Sequence, residues 1–325
     1  MYFNLSKLML ANTMMIGVIM TICSNNWVSM WMGLEMSLLS FIPFMQTENQ
    51  ISSESMIKYF IIQSVASTLF LFSVSIMLIG VNMMMENELI SMAMLIKMGS
   101  APFHLWVLKI IESMSMNAIF TMLTVLKMPP LMIMYQINSK FITIPVLMGM
   151  VLSSVSCLNQ TSMRKTLGYS SIYNMSLILS TININNIIWM FMSIYSLMMM
   201  FLVKLIKMMK INYINQMIIN DYSKWLKITI WINMLSMSGF PMLMGFINKM
   251  MIMQMMIMNN QIIMVTTLVL TSMLVTLFYL RMTFNCMMNY FTFKKWTNTE
   301  NKYLYFMLTI NLSLMPLVFS INSIY

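Results

Sequence analysis

Apolar stretches of about twenty residues, each the length a helix needs to cross a hydrocarbon layer, recur along the whole of this chain. Hydrophobic residues make up 60% of the 325 residues and charged residues only 8%, a balance that no water-soluble core explains. The chain is therefore predicted to be an all-α polytopic membrane protein. The runs predict eleven helices, near 8–23, 27–45, 57–80, 89–111, 117–136, 142–158, 166–182, 187–206, 226–258, 262–284 and 303–322. The only sizeable connection is 207–225, so residues 1–325 read as one membrane domain whose chemistry lies within the bilayer. The first run follows a single Lys7 and has no small-residue cleavage site after it, so it is taken as a spanning helix and not as a leader. Cys23, Cys157 and Cys286 fall inside apolar runs without paired spacing or a histidine neighbour, and read as small core residues.

The basic residues set the orientation. Lys7, Lys58, Lys109, Arg164, Lys165, Lys207, Lys210, Lys224, Lys227, Lys294, Lys295 and Lys302 fall on the N-terminal side of the alternating spans, against Lys140 alone on the other. By the positive-inside rule the N-terminus faces the cytoplasm or the mitochondrial matrix. Lys204 and Arg281 stand near the basic-side ends of their helices, where long stems reach the headgroups. The net charge of +10 is thus a topology signal with an attraction for anionic lipid, and nucleic acid is not an expected partner.

Four charges do not fit this scheme. Glu35, Lys97, Lys127 and Lys249 each sit inside a spanning run, where a charged side chain is costly and marks an ion or proton path or a partner within the bundle. Lys97 is followed by Gly99-Ser100-Ala101-Pro102, and Lys249 is preceded by Ser238-Gly239-Phe240-Pro241 and Gly245. Each proline removes one backbone donor and frees the carbonyl four residues earlier, so both helices are predicted to break. Pro129-Pro130 likewise free the carbonyls of Val125 and Leu126 beside Lys127. The two breaks lie five spans apart, which predicts inverted five-helix repeats near 8–136 and 142–284 followed by a final helix near 303–322.

The residues around these charges carry a resemblance. Trp31-Met32-Gly33-Leu34-Glu35-Met36-Ser37, Lys97-Met98-Gly99-Ser100-Ala101-Pro102-Phe103-His104-Leu105-Trp106, Arg164-Lys165-Thr166-Leu167-Gly168-Tyr169-Ser170-Ser171 and Gly239-Phe240-Pro241-Met242-Leu243-Met244-Gly245-Phe246 resemble, in order, the second subunit of mitochondrial NADH:ubiquinone oxidoreductase, complex I. The resemblance implies an antiporter-like fold in the short animal form of eleven helices. It pairs Glu35 with Lys97, makes Lys127 the central lysine and Lys249 the lysine of the second broken helix. It also suggests a reason for the 52 methionines, since AT-rich animal mitochondrial genomes read AUA as Met, and Met replaces Ile or Leu at little packing cost. Two positions depart from the pattern: Asn174 stands where relatives commonly have His, and Met242 where they have a second Pro. Asn174 can bind water but does not titrate near neutral pH.

Against each charge stands a plainer role. Glu35 and Lys97 could form a structural salt bridge, but burying one so deep is costly and rarely needed for stability. Lys127 has no acidic residue in its own helix, which favours proton handling; Lys249 would snorkel harmlessly if it lay nearer the basic surface. His104, the one histidine, is seven residues after Lys97 and serves as a relay or as a structural residue at the break. Glu48, Glu54, Glu86, Glu88 and Glu112 lie in or near loops and are expected to be solvated. No Gly-rich dinucleotide loop, cysteine cluster or haem ligand pair is present, so no redox cofactor is expected. The resemblance then implies a non-redox, proton-translocating subunit of an NADH:ubiquinone reductase in the mitochondrial inner membrane, with its N-terminus in the matrix. Other membrane-arm subunits, accessory subunits and anionic lipids would be its partners, and it would not act as a stand-alone monomer. A self-sufficient cation/proton antiporter and a purely structural membrane subunit are the rival readings.

Overall fold

A computed structural model describes residues 5–47, 50–80, 83–137, 140–219, 224–287 and 306–313. Expectations for Glu48, Lys294, Lys295, Lys302 and most of the final span fall outside these residues, as do the side chains of Lys140, Lys224 and Cys286. In chain order the helices are α1 (Leu5–Cys23), α2 (Trp27–Met45), α3 (Gln50–Ile79), α4 (Met83–Met98), α5 (Leu105–Ile111), α6 (Met116–Leu123), α7 (Met128–Ile137), α8 (Thr143–Leu158), α9 (Met163–Ser180) and α10 (Asn185–Met209). Then come α11 (Gln216–Ile219), α12 (Lys224–Ser238), α13 (Met244–Met258), α14 (Ile262–Met287) and α15 (306–313). The first ten predicted spans each coincide with a helix or a pair of helices, the described part of the eleventh is helical, and the protein is an all-α polytopic membrane protein. Among the described residues, six helical stretches are individually long and apolar enough to cross a membrane, while Thr143–Leu158 and Met244–Met258 are shorter apolar helices.

Two compact units are present, Met1–Gly149 with Ile178–Ile188, and Met150–Leu177 with Trp189–Tyr325. In the first, α1 and α2 cross closely through glycine. A Cβ on Gly17 would lie 2.9 Å from the Gly33 carbonyl oxygen, and one on Gly33 would lie 2.8 Å from that of Gly17. Such small-residue crossings hold membrane helices by backbone contact, because lipid supplies no hydrophobic drive between them.

α3 begins seven residues before the predicted span, since its first turns carry an exposed i,i+4 pair, Glu54 with Lys58 at 3.2 Å, that suits the interface. Ser52, Ser55, Tyr59, Gln63, Ser67, Phe70 and Ser73 form a buried stripe at steps of three and four, while apolar side chains such as Ile57, Ile61 and Phe72 point outward. The pattern suits a helix in lipid: the buried face gathers polar groups, and the outward face carries large apolar side chains. Its serines satisfy themselves by donating to carbonyls three residues back, as Ser55 does to Ser52 at 2.7 Å.

Three expectations are corrected. Glu86 is buried, 2% exposed, in the first turn of α4, where unpaired helix N–H groups favour a carboxylate. Cys23 is exposed at the end of α1, not packed in a core. Lys227, counted among the basic-face residues, is buried at the start of α12.

Candidate functional site

The predicted break after Lys97 is present, with α4 ending at Met98 and α5 starting at Leu105. Gly99 turns the chain at φ +64°, a left-handed conformation open to glycine without strain. The Ser100 amide donates back to the Leu95 carbonyl at 3.2 Å and the Gly99 amide to that of Ile96 at 3.1 Å, closing the helix end. The Lys97 carbonyl receives its donor from another helix: Gln63 Nε2 of α3 donates to it at 3.2 Å. The lysine thus has its backbone clamped between two elements while its side chain, 8% exposed, points into the unit.

Lys127 stands at a second irregularity. The predicted single span 117–136 is divided into α6, a 3-10 turn over Val125–Lys127, and α7. Pro129 and Pro130 occupy the first turn of α7, where a missing N–H is tolerated, and their absent donors prevent continuous α-helix through Val125 and Leu126. The tightened turn sets Lys127 inside the unit, 3% exposed.

Lys97 and Lys127 line the same cavity, of about 30 Å³, together with Ser37, Tyr59, Gln63 and Trp106. That volume admits about two water molecules, and the lining supplies the polar partners water requires. Glu35, on α2, is half-buried and lies in sequence between Leu34 and Ser37, two residues of that helix that line the cavity. The carboxylate and the Lys97 ammonium do not close an ion pair within 4.0 Å, and the buried Oε1 of Glu35 has no hydrogen-bond partner. Trp106 Nε1 is likewise buried without one. His104 is elsewhere: it precedes α5, its Nδ1 donates to the Pro102 carbonyl at 3.3 Å, and it does not line the cavity.

In the second unit the predicted break between α12 and α13 repeats the backbone pattern of the first. Gly239 has φ +70°, the Phe240 amide donates to the Leu235 carbonyl at 3.1 Å, and the Gly239 amide donates to that of Ser236 at 3.0 Å. Lys249, 8% exposed, reaches back across this break, its ammonium donating to the Ser238 carbonyl at 2.5 Å. Room for that reach exists because residue 239 is glycine; a Cβ there would lie 2.6 Å from Lys249 Cε. The ammonium also stands 5.9 Å from the ring centroid of Tyr173, whose hydroxyl lies 3.5 Å from that of Thr271. Asn174, next to Tyr173, is buried, and Asn248 Nδ2 donates to the Phe191 carbonyl at 3.5 Å.

Within the first unit the structure thus brings Lys97 and Lys127 to one cavity, and neither Glu35 nor His104 is among the residues that line it. Sequence reading missed Gln63 and Tyr59. The two are one turn apart on a stripe of α3 that also carries Ser52, Ser55, Ser67 and Ser73, a run that reads in sequence as an ordinary polar helix face. Among the described residues no three His, Cys, Asp or Glu side chains gather as a metal site would require.

Residues 24–276 match the transmembrane family described as NADH:quinone oxidoreductase/Mrp antiporter. NADH-ubiquinone oxidoreductase chain 2 of Locusta migratoria is 33% identical over 298 residues, 89% of this chain and 87% of the relative. The Anopheles gambiae protein of that name is 32% identical over 296 residues, covering 88% and 87% respectively. Among solved structures, a chain of respiratory complex I from Thermus thermophilus with bound aureothin superposes with TM-score 0.81 at 17% identity, over 97% of this chain and 78% of that one. A chain of the Mrp complex from Dietzia does so with TM-score 0.76 at 13% identity, over 90% and 62%. The fold is antiporter-like.

Proposed function

Since the chain belongs to the NADH:quinone oxidoreductase/Mrp antiporter transmembrane family, among its animal NADH-ubiquinone oxidoreductase chain 2 members, we propose that it is a proton-translocating, non-redox membrane subunit of respiratory complex I. In this reading it resides in the mitochondrial inner membrane with its N-terminus in the matrix, and works only when assembled with the other membrane-arm subunits. The observation that carries the reading is the shared polar cavity of Lys97 and Lys127.

The charges then act as follows. Glu35 stabilises the cation on Lys97, and a signal from neighbouring subunits that weakens this influence makes Lys97 release its proton. Two like charges about 8 Å apart at an effective dielectric near 20 repel by about 2 kcal/mol, so removing one changes the ease of charging the other. Lys127 takes up the proton through the cavity, where water and hydroxyls supply the intervening hydrogen bonds. Lys249 is the corresponding group of the second unit, its ammonium held over a broken helix by the Ser238 carbonyl. The order Glu35, Lys97, Lys127, Lys249 follows the family resemblance.

The test is Lys127→Met in the assembled complex. This change keeps length and apolarity while deleting the titratable group, so assembly on a native gel should persist. Inhibitor-sensitive NADH oxidation and the proton gradient, followed with a dye, should fall severely. Lys58→Met, at a lysine 56% exposed, should alter stability by no more than about 1 kcal/mol and leave pumping intact. Normal pumping by the Lys127→Met complex removes the relay and leaves a structural subunit.

A further inference from the structure

We propose that Tyr173 is a positioning residue for Lys249, its ring face and the Ser238 carbonyl together holding the ammonium where a carboxylate would otherwise stand. The inference rests on the proton-carrying role given to Lys249 above and adds a residue to it. A buried ammonium needs electron-rich groups in place of the water it has lost. Among the described residues of this unit none is an aspartate or a glutamate, and the groups set against the ammonium are neutral. The Ser238 carbonyl accepts from one of its N–H groups at 2.5 Å. The second such group is the negative face of an aromatic ring: Nζ lies over Tyr173 at 5.9 Å from the centroid, inside the reach of about 6 Å for a cation–π contact. Lys249 is 8% exposed and Tyr173 only 3%, so the contact is desolvated, the setting in which it is strongest.

Four elements converge to make the contact. The turn between α12 and α13 admits the lysine, since a Cβ on Gly239 would lie 3.1 Å from Nζ itself. Tyr173 comes from α9, and its hydroxyl reaches Thr271 of α14. The Thr271 hydroxyl already donates to the Thr267 carbonyl at 2.8 Å, so across the 3.5 Å between the two oxygens Tyr173 is the donor and Thr271 the acceptor. That bond tethers the far edge of the ring to α14. A neutral face also suits a lysine that gains and loses a proton. Beside a carboxylate, a deprotonated Lys249 would leave a buried anion unpaired, whereas the ring carries no net charge in either state and strands nothing.

The experiment uses the assembled complex carrying Tyr173→Phe, which keeps the face, or Tyr173→Leu, which removes it. Both should assemble on a native gel. Redox-coupled pumping by Tyr173→Phe should stay within about twofold of the unsubstituted complex, while that of Tyr173→Leu falls about tenfold, the measure of a desolvated cation–π contact. Heat-driven loss of the assembled complex separates charge from packing. Tyr173→Leu should shorten its half-time severalfold where residue 249 is lysine, and by clearly less where Lys249→Met has removed the ammonium and kept an apolar stem. Equal shortening in both backgrounds, or failure of Tyr173→Leu to assemble, makes the ring a packing element and overturns the proposal. A Tyr173→Phe complex as crippled as Tyr173→Leu overturns it too, by giving the role to the hydroxyl. Normal pumping by Tyr173→Leu beside a crippled Lys249→Met removes Tyr173 alone; normal pumping by Lys249→Met removes the relay role of Lys249 itself.

Discussion

At the scale of single residues, glycine and lysine are matched partners. Gly80 and Gly239 both adopt positive φ, yet nothing lies within 4 Å of a Cβ at Gly80, whereas one at Gly239 collides with the Lys249 stem. Gly80→Ala should therefore cost only the left-handed strain of about 1–2 kcal/mol. Gly239→Ala should cost that and also push the ammonium off the Ser238 carbonyl. Thermal inactivation of the purified complex checks the pair: the first variant shifts the midpoint slightly, the second shifts it more and also lowers proton pumping. The positions of Glu35, Lys97, Lys127 and Lys249 were legible because charge inside an apolar run stands out. Tyr59 and Gln63 were not, because a tyrosine and a glutamine among serines look like ordinary interhelical glue until the cavity shows what they face.

At the scale of elements, both breaks were readable from Gly and Pro, since a missing donor and a positive φ are written in residue type. The division of the 117–136 span was half legible: the two prolines were noted, but the 3-10 turn that seats Lys127 needed the coordinates. The partner of a freed carbonyl is invisible in sequence, because it comes from a distant segment, as Gln63 comes to Lys97. Gln63→Leu keeps the volume and deletes the donor, so a buried carbonyl is left unsatisfied at about 1–3 kcal/mol. A lower denaturation midpoint with loosened protection at 99–104 in hydrogen exchange is the expected result. A second link joins α12 and α15, where Asn311 Nδ2 donates to Asn233 Oδ1 at 2.6 Å and Asn233 Nδ2 donates to the Thr229 carbonyl at 2.7 Å. Asn311→Leu alone should destabilise more than Asn233→Leu with Asn311→Leu, because the double change leaves no orphaned side-chain amide; the denaturation midpoints of the two complexes rank them.

At the scale of the whole molecule, orientation and autonomy are the open quantities with direct measurements. If the N-terminus lies in the matrix as proposed, the exposed Cys23 at the far end of α1 would face the intermembrane space and should react with an impermeant maleimide in intact mitoplasts. In proteoliposomes the isolated chain should drive no proton flux from a sodium or potassium gradient; a robust flux would establish a self-sufficient antiporter instead. The two breaks share a backbone pattern but differ in how the lysine meets it: Lys97 lies before its break and is clasped by α3, while Lys249 lies after its own and ties it shut. A charge-assisted hydrogen bond is roughly twice as strong as a neutral one, so the Ser238 tie slackens whenever Lys249 gives up its proton. On the proposed relay, the stiffness of segment 239–243 would then be a record of whether a proton is aboard, kept in the spring of the backbone.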